Sequence, residues 1–170
     1  MALIKDRRDA PDPWLLLERG PDGAPPAIPE TGDVIVPLVT WQTLREPLLA
    51  RSARLGVWLA ENDEPAEIAD DLEHFRLVAV RFPRATDGRG YSIARLLRER
   101  HGWQGELRAI GDIQRDQLHF LAHCGFDAFD LRDGEDVQAA LAAFQEFSEA
   151  YQAAVDRPLP LFRRRAAASS

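Results

Sequence analysis

The chain has 170 residues, a length typical of one domain that buries its own hydrophobic core. Its hydrophobic fraction of 45% and charged fraction of 29% are those of a globular protein and argue against disorder of the whole chain. The formal net charge of −7 argues against a nucleic-acid partner, because phosphate binding requires a basic face. The same charge disfavours adhesion to anionic membranes.

Cysteine use and hydropathy predict a reduced, cytoplasmic protein. Cys124 is the sole cysteine, so the chain cannot form an intramolecular disulfide or supply a zinc or iron–sulfur site from cysteine alone. The first 14 residues lack the apolar core of a signal peptide. No apolar run approaches the roughly 20 residues that span a bilayer.

Three segments divide the chain. Residues 1–32 predict an N-terminal hairpin or extended arm, which ends in a loop rich in Pro and Gly at residues 20–32. Residues 33–156 predict a single α/β domain. Residues 157–170 predict a flexible tail, because two prolines and a run of small residues follow the last helical pattern.

Five short apolar runs in the central segment predict strands, at residues 34–38, 55–59, 77–82, 107–110 and 126–131. A helical pattern follows each run, although Pro47 interrupts the first of these helices. Strands that alternate with helices indicate an α/β fold of about five successive βα units around a parallel sheet. The periodicity fits a doubly wound sheet and a partial TIM-barrel-like arrangement equally. Both place ligands at the carboxyl ends of the strands.

The loops after the third, fourth and fifth predicted strands are therefore expected to cluster. Two glycines allow a backbone to approach a ligand closely, and arginine side chains offer forked donors to an oxyanion such as phosphate, sulfate or sulfite. The alternative is that the aspartates cap helices and that the arginines are solvated. The candidate anion-binding residues are Arg84, Asp87, Gly88, Arg89, Gly90, Tyr91, Ser92, Asp112, Arg115, Asp116 and Arg132.

The sequence assigns no catalytic residue, and the cofactor stays unknown. The Asp87–Gly90 segment lacks the third glycine of a dinucleotide fingerprint, and there is no phosphate loop and no G-x-S-x-G elbow. No flavin, nicotinamide or iron–sulfur motif is visible. His119 and His123 share an i, i+4 face, but without a third ligand in the pattern they favour surface histidines over a metal site.

Several strings occur in an order that resembles a bacterial family, domain of unknown function 934. They stand at residues 86–92 (TDGRGYS), 105–112 (GELRAIGD), 115–117 (RDQ) and 124–127 (CGFD), and the resemblance covers most of residues 1–152. The resemblance implies a setting in assimilatory sulfur metabolism, since members tend to be encoded beside sulfite reductase and the reductase for activated sulfate. It also implies an oxidoreductase role, because members are often labelled as oxidoreductases involved in sulfite reduction.

Two functions follow as expectations. The first is an accessory protein of sulfate or sulfite assimilation, with a small oxyanion bound at the loop cluster and sulfite reductase or another sulfur-assimilation enzyme as partner. The alternative is a non-catalytic binding or assembly module for the sulfite reductase complex, which would use aromatics such as Trp14, Trp103 and Phe162. A third possible function, as a hydrolase or isomerase of a small phosphorylated substrate, is suggested only by analogy with other proteins of this fold class. Neither nucleic acid nor membrane is expected as a partner.

Overall fold

An eight-stranded sheet forms the centre of the protein in the computed structural model, which describes residues 2–145. The strands in chain order are β1 (Ala2–Lys5), β2 (Arg8–Ala10), β3 (Leu15–Leu16), β4 (Val34–Pro37), β5 (Leu55–Leu59), β6 (Leu77–Phe82), β7 (Glu106–Gly111) and β8 (Ala128–Leu131). Their spatial order is β2–β1–β8–β7–β6–β5–β4–β3. From β3 to β8 each strand pairs in parallel with its neighbour, whereas β1 is antiparallel to both β8 and β2.

Helices connect the parallel strands, so the predicted α/β class is confirmed. The helices are α1 (Leu38–Thr43), α2 (Arg45–Leu49), α3 (Arg89–Arg95, continued by a π-helical turn at Leu96–Arg100), α4 (Leu118–Cys124) and α5 (Val137–Gln145), with 3-10 helices at Pro21–Gly23, Pro65–His74 and Arg115–Gln117. A strand is present at each of the five predicted runs. The connections are less regular than five βα units, because a 3-10 helix joins β5 to β6 and two short helices separated at Leu44 join β4 to β5.

The helices pack on one face of the sheet. In β6, Val78 and Val80 belong to the large hydrophobic core that holds the buried side chains of the helices. Leu77 and Ala79 alternate with them and belong to a smaller cluster, to which strands, the segment before β3 and the residue after β5 contribute and no helix does. A doubly wound sheet needs helices on both faces. The structure therefore selects the barrel-like alternative.

The short link between β2 and β3 shows how strongly the sheet curls. These two strands are the opposite edges of the sheet, yet only residues 11–14 separate them. A five-residue step reaches at most about 18 Å, whereas seven interstrand spacings in a flat sheet would measure about 34 Å. The sheet is therefore curled, with the small cluster on its concave face and the helices on its convex face.

The N-terminal segment was predicted as a hairpin or an extended arm, and the structure has a short hairpin at its start. The observed hairpin pairs β1 with β2 through a turn at Asp6 and Arg7, both with positive φ. Pro11 and Pro13 have no N–H to donate to a ladder, so pairing stops after β2. The chain then crosses to the other edge, where Trp14 and Leu16 pack on the concave face.

Part of the predicted organisation lies outside residues 2–145: the end of the last helix and the tail at residues 157–170. Among the helices in the described range, none has both the length and the apolar composition that a bilayer crossing requires.

Candidate anion-binding site

Asp112 joins the three loops that were expected to cluster. Its Oδ2 accepts a hydrogen bond from the backbone N–H of Ala85, in the loop after β6, at 2.9 Å. Its Oδ1 accepts one from Nη1 of Arg132, in the loop after β8, at 3.2 Å. The N–H of Ala85 is the main cause that holds the pKa of the Asp112 carboxyl below its ordinary value. Asp112 thus works as a connector between loops, and the helix-capping alternative is wrong for it, because Gln114 caps the following 3-10 helix.

Gly111 is required for this arrangement. Its φ is +98°, and a Cβ at this position would lie 2.2 Å from the carbonyl oxygen of Phe82. With no side chain in the way, the N–H of Asp112 donates to that same carbonyl at 2.8 Å. The glycine therefore lets the end of β7 approach the end of β6, which brings Asp112 within reach of Ala85.

Asp87 and Arg89 form an ion pair with several hydrogen bonds. Arg89 donates its backbone N–H and Nε to Oδ1 of Asp87, each at 3.0 Å, and Nη2 to Oδ2 at 2.6 Å. Its Nη1 donates to Oδ1 of Asn62 in the loop after β5, at 2.6 Å. These bonds, chiefly those from the Arg89 side chain, lower the pKa of Asp87 to about 2. The guanidinium that was expected to bind an anion is therefore already occupied within the protein.

Arg84 and Arg115 are the less constrained cations of the cluster. The Arg84 side chain is exposed and makes no hydrogen bond or ion pair with the rest of residues 2–145, although its charge contributes to the lowered pKa of Asp87. Arg115 is paired with Asp116 at 3.9 Å, and both side chains are exposed. The backbone beside Arg84 is held firmly, because Gln117 donates Nε2 to the carbonyl of Ala85 at 2.7 Å while the N–H of Ala85 binds Asp112.

The remaining candidates have structural explanations. A Cβ on Gly90 would lie 2.5 Å from the ring of Phe82, so this glycine is needed for helix packing. The Tyr91 ring packs between those of Phe82 and Phe120 in inclined, edge-on contacts, at centroid distances of 5.2 and 4.8 Å. Gly88 has open space around it, and Ser92 is exposed on α3.

Charged residues on the concave face escaped the sequence analysis. Near the carboxyl ends of the strands, Arg81 forms a two-bond pair with Glu18, both bonds at 2.6 Å, and lies 4.0 Å above the ring of Trp58. At the other end, the buried Arg108 binds Glu106 and Asp12. Polar residues at alternate positions within otherwise apolar strands were the available signal, since such positions face the side opposite the main core.

Asp130 is a buried carboxyl on the same concave face. It is 8% exposed, and no hydrogen bond from its side chain reaches the rest of the described chain. Burial raises its pKa, and the nearby charge of Arg108 opposes that effect. Its direction, opposite to Leu131, is the one that strand alternation predicts.

The two histidines of α4 contact each other, with Nε2 atoms 2.9 Å apart. Within residues 2–145 no three His, Cys, Asp or Glu side chains gather in an arrangement that would hold a metal ion.

The fold and site define an α/β protein with a curled sheet, helices on its convex face, and a charged loop cluster at the carboxyl ends of its parallel strands. The chain belongs to the family described as bacterial protein of unknown function (DUF934), whose model matches residues 56–162. That range contains every candidate residue of the loop cluster. No curated protein matches the chain.

Proposed function

We propose that the protein is a cytoplasmic accessory component of sulfate or sulfite assimilation that binds a small oxyanion at the loop cluster. The observation that carries the proposal is the combination of a free guanidinium, Arg84, with a backbone clamped on both sides of the next residue, Ala85. A fixed backbone lowers the entropy that is lost when a ligand binds. The guanidinium supplies the paired donors that an oxyanion accepts.

The electrostatics favour binding over acid–base catalysis. A general base works best with a pKa near the pH of the reaction. Asp87, with a pKa of about 2, and Asp112, whose pKa is also lowered, are both weak bases. The sulfur setting is what the resemblance to this family implies, and the description of the family itself gives no function. An oxidoreductase role would need the redox chemistry to come from a partner or a cofactor.

A thermal-shift series with sulfite, sulfate and phosphate tests the binding site. Ligand at 100 times its dissociation constant stabilises by about 2.7 kcal/mol, which raises Tm by about 5–11 °C in a chain of this size. Arg84→Ala should abolish the shift without altering the fold. Arg100→Ala is the matched control, because Arg100 is also exposed and lies at the far end of the helix that begins with α3. An unchanged shift in Arg84→Ala would reject this site.

The metabolic setting is tested by growth. A strain without the gene should grow normally on cysteine and poorly on sulfate as the sulfur source. A chain with Arg84→Ala should restore growth less well than the wild type. Equal growth of the deletion strain on both sources would reject the setting, whatever the outcome of the binding assay.

Assembly with the sulfite reductase complex is a second candidate, favoured by one exposed aromatic. Phe120 on α4 is 52% exposed, whereas Trp103, which the sequence suggested, is buried and donates its indole N–H to Glu106. Phe162 lies outside the described residues. Co-purification with sulfite reductase that is lost in Phe120→Ala and kept in Arg84→Ala would favour assembly over oxyanion binding.

A further inference from the structure

A cavity lies at the opposite end of the curled sheet from the loop cluster. It has a volume of about 400 Å³, within the range of small-molecule sites. Arg54 and Arg76 line it directly before β5 and β6, and Glu106 lines it at the start of β7. The cavity is therefore at the amino-terminal ends of these strands, between the sheet and the link that joins β2 to β3.

The lining carries more cations than carboxylates. Lys5, Arg54, Arg76 and Arg108 all contribute, against Glu106 alone. Glu106 is shared between Nζ of Lys5, at 2.7 Å, and Arg108. Carboxylates from outside the lining offset Arg108 and Arg54: Asp12 binds Arg108, Asp130 lies near enough to feel its charge, and Asp33 binds Arg54.

Arg76 is the charge that these pairs leave uncompensated. Its side chain is exposed and has no hydrogen bond or ion pair to any other part of the chain that the structure describes. Lys5 uses one of its three donors on Glu106 and is 43% exposed, so it has donors left for a ligand. An anion between Arg76 and Lys5 would meet two cations without having to displace an internal partner of Arg76.

The other wall of the cavity is apolar. Leu3, Pro13 and Trp14 line it, and the guanidinium of Arg54 lies 5.1 Å from the centre of the Trp14 ring. The bond from Arg54 to Asp33, at 2.5 Å, fixes this stacked arrangement. An indole face beside cations suits a ligand with a flat apolar body and an anionic group at one end.

We propose that this cavity binds a small aromatic anion, whose charged group pairs with Arg76 and Lys5 and whose ring packs on Trp14. The network of Arg108, Glu106 and Asp12 forms a rigid base for the site, since Arg108 is only 2% exposed. The site shares no residue with the loop cluster, so each of the two binding sites can be tested independently of the other.

Binding of 1-naphthyl phosphate, compared with the uncharged 1-naphthol, tests the proposal by two-dimensional NMR of the ¹⁵N-labelled full chain. The phosphate should shift the Trp14 indole N–H, assigned with Trp14→Phe, together with the backbone amides around Lys5 and Arg76. Arg76→Ala should weaken binding about tenfold or more, the loss expected for a charge-assisted hydrogen bond. Arg100→Ala should leave it unchanged.

Three results would overturn the proposal. Equal affinity for 1-naphthol would show a purely apolar cavity. Loss of binding in Arg84→Ala with retention in Arg76→Ala would move the anion to the loop cluster. The absence of any shift with 1-naphthyl phosphate would show that the cavity does not accept an aromatic anion.

Discussion

The Asp112 carboxylate and the backbone N–H of Ala85 lie 2.9 Å apart, on loops that follow two neighbouring strands. This bond links the loops after β6 and β7 beyond the point where their ladder ends, beside the bond from Gln117 to the carbonyl of Ala85, and Arg132 extends the link to β8. One carboxylate therefore connects all three loops.

Replacing that carboxylate should loosen the cluster. Asp112→Ala leaves the N–H of Ala85 without its partner, so we expect the free energy of unfolding to fall by about 1 kcal/mol. Urea unfolding monitored by circular dichroism measures the change. Asp116→Ala is the control, because the Asp116 side chain is 89% exposed and its loss should alter stability by less than about 0.5 kcal/mol. Equal effects of the two changes would show that Asp112 does not hold the loops.

A pair of glycine substitutions tests the close approach of β6 and β7. Gly111→Ala places a Cβ against the carbonyl of Phe82 at positive φ, and we expect a loss of at least about 2 kcal/mol. Gly88→Ala is the matched change, because Gly88 has ordinary φ and open space, and its effect should stay within about 0.5 kcal/mol. A mild effect of Gly111→Ala would mean that this end of β7 adjusts easily.

The pair of Asp87 and Arg89 predicts a specific dependence of stability on pH. The folded-state pKa of Asp87, about 2, is below the unfolded value of about 3.9. Its stabilising contribution is therefore present above about pH 4 and is lost as the pH falls through the folded pKa. The difference in unfolding free energy between wild type and Asp87→Asn should be largest near pH 6, fall as the pH drops below about 4, and vanish only below about pH 2. A difference that does not change with pH would contradict this pairing.

Asp130 predicts a pH dependence of stability with the opposite sign. Burial raises its folded-state pKa, so the folded protein binds this proton more tightly than the unfolded chain does. The ionised carboxylate then costs stability at neutral pH, and the cost disappears as the pH falls below the unfolded pKa of about 3.9. Asp130→Asn should be more stable than wild type at pH 7 and equal to it near pH 4. Lower stability of Asp130→Asn at pH 7 would show that the charge has a favourable partner.

The sequence was sufficient to place the five central strands, because their apolar runs are long and lie between helical patterns. The pairing of the first 32 residues was harder to predict. The pairing of Leu3 with Asp130 joins positions far apart in the chain, and no local pattern encodes it. Pro11 and Pro13 do mark the end of β2, but they do not reveal that the chain crosses to the opposite edge.

The sequence predicted that the loops after these strands would meet, but it did not predict which side chains would contact one another. Loops after parallel strands meet by geometry, so the neighbourhood of Asp112 and Arg132 follows from strand order. Whether an arginine has an internal ion-pair partner depends on side-chain positions, which the sequence does not give. Arg89 pairs with Asp87, whereas Arg84 does not form such a pair. Arg108 and Glu106 were missed because site residues were expected in the loops that follow the strands, whereas both of these residues lie within β7.

The antiparallel pairing of β1 with β8 has a consequence for synthesis of the protein. Ala2 leaves the ribosome well before its partner Leu131, which is added nearly 130 residues later. In the growing chain β1 can pair with β2 at once, but its other edge stays unpaired until the sixth parallel strand has emerged, and contacts of such long sequence separation form slowly. Folding of the finished sheet is consequently a late event, and a chain cut short before residue 128 would leave the edge of β7 and the first hairpin exposed to aggregation.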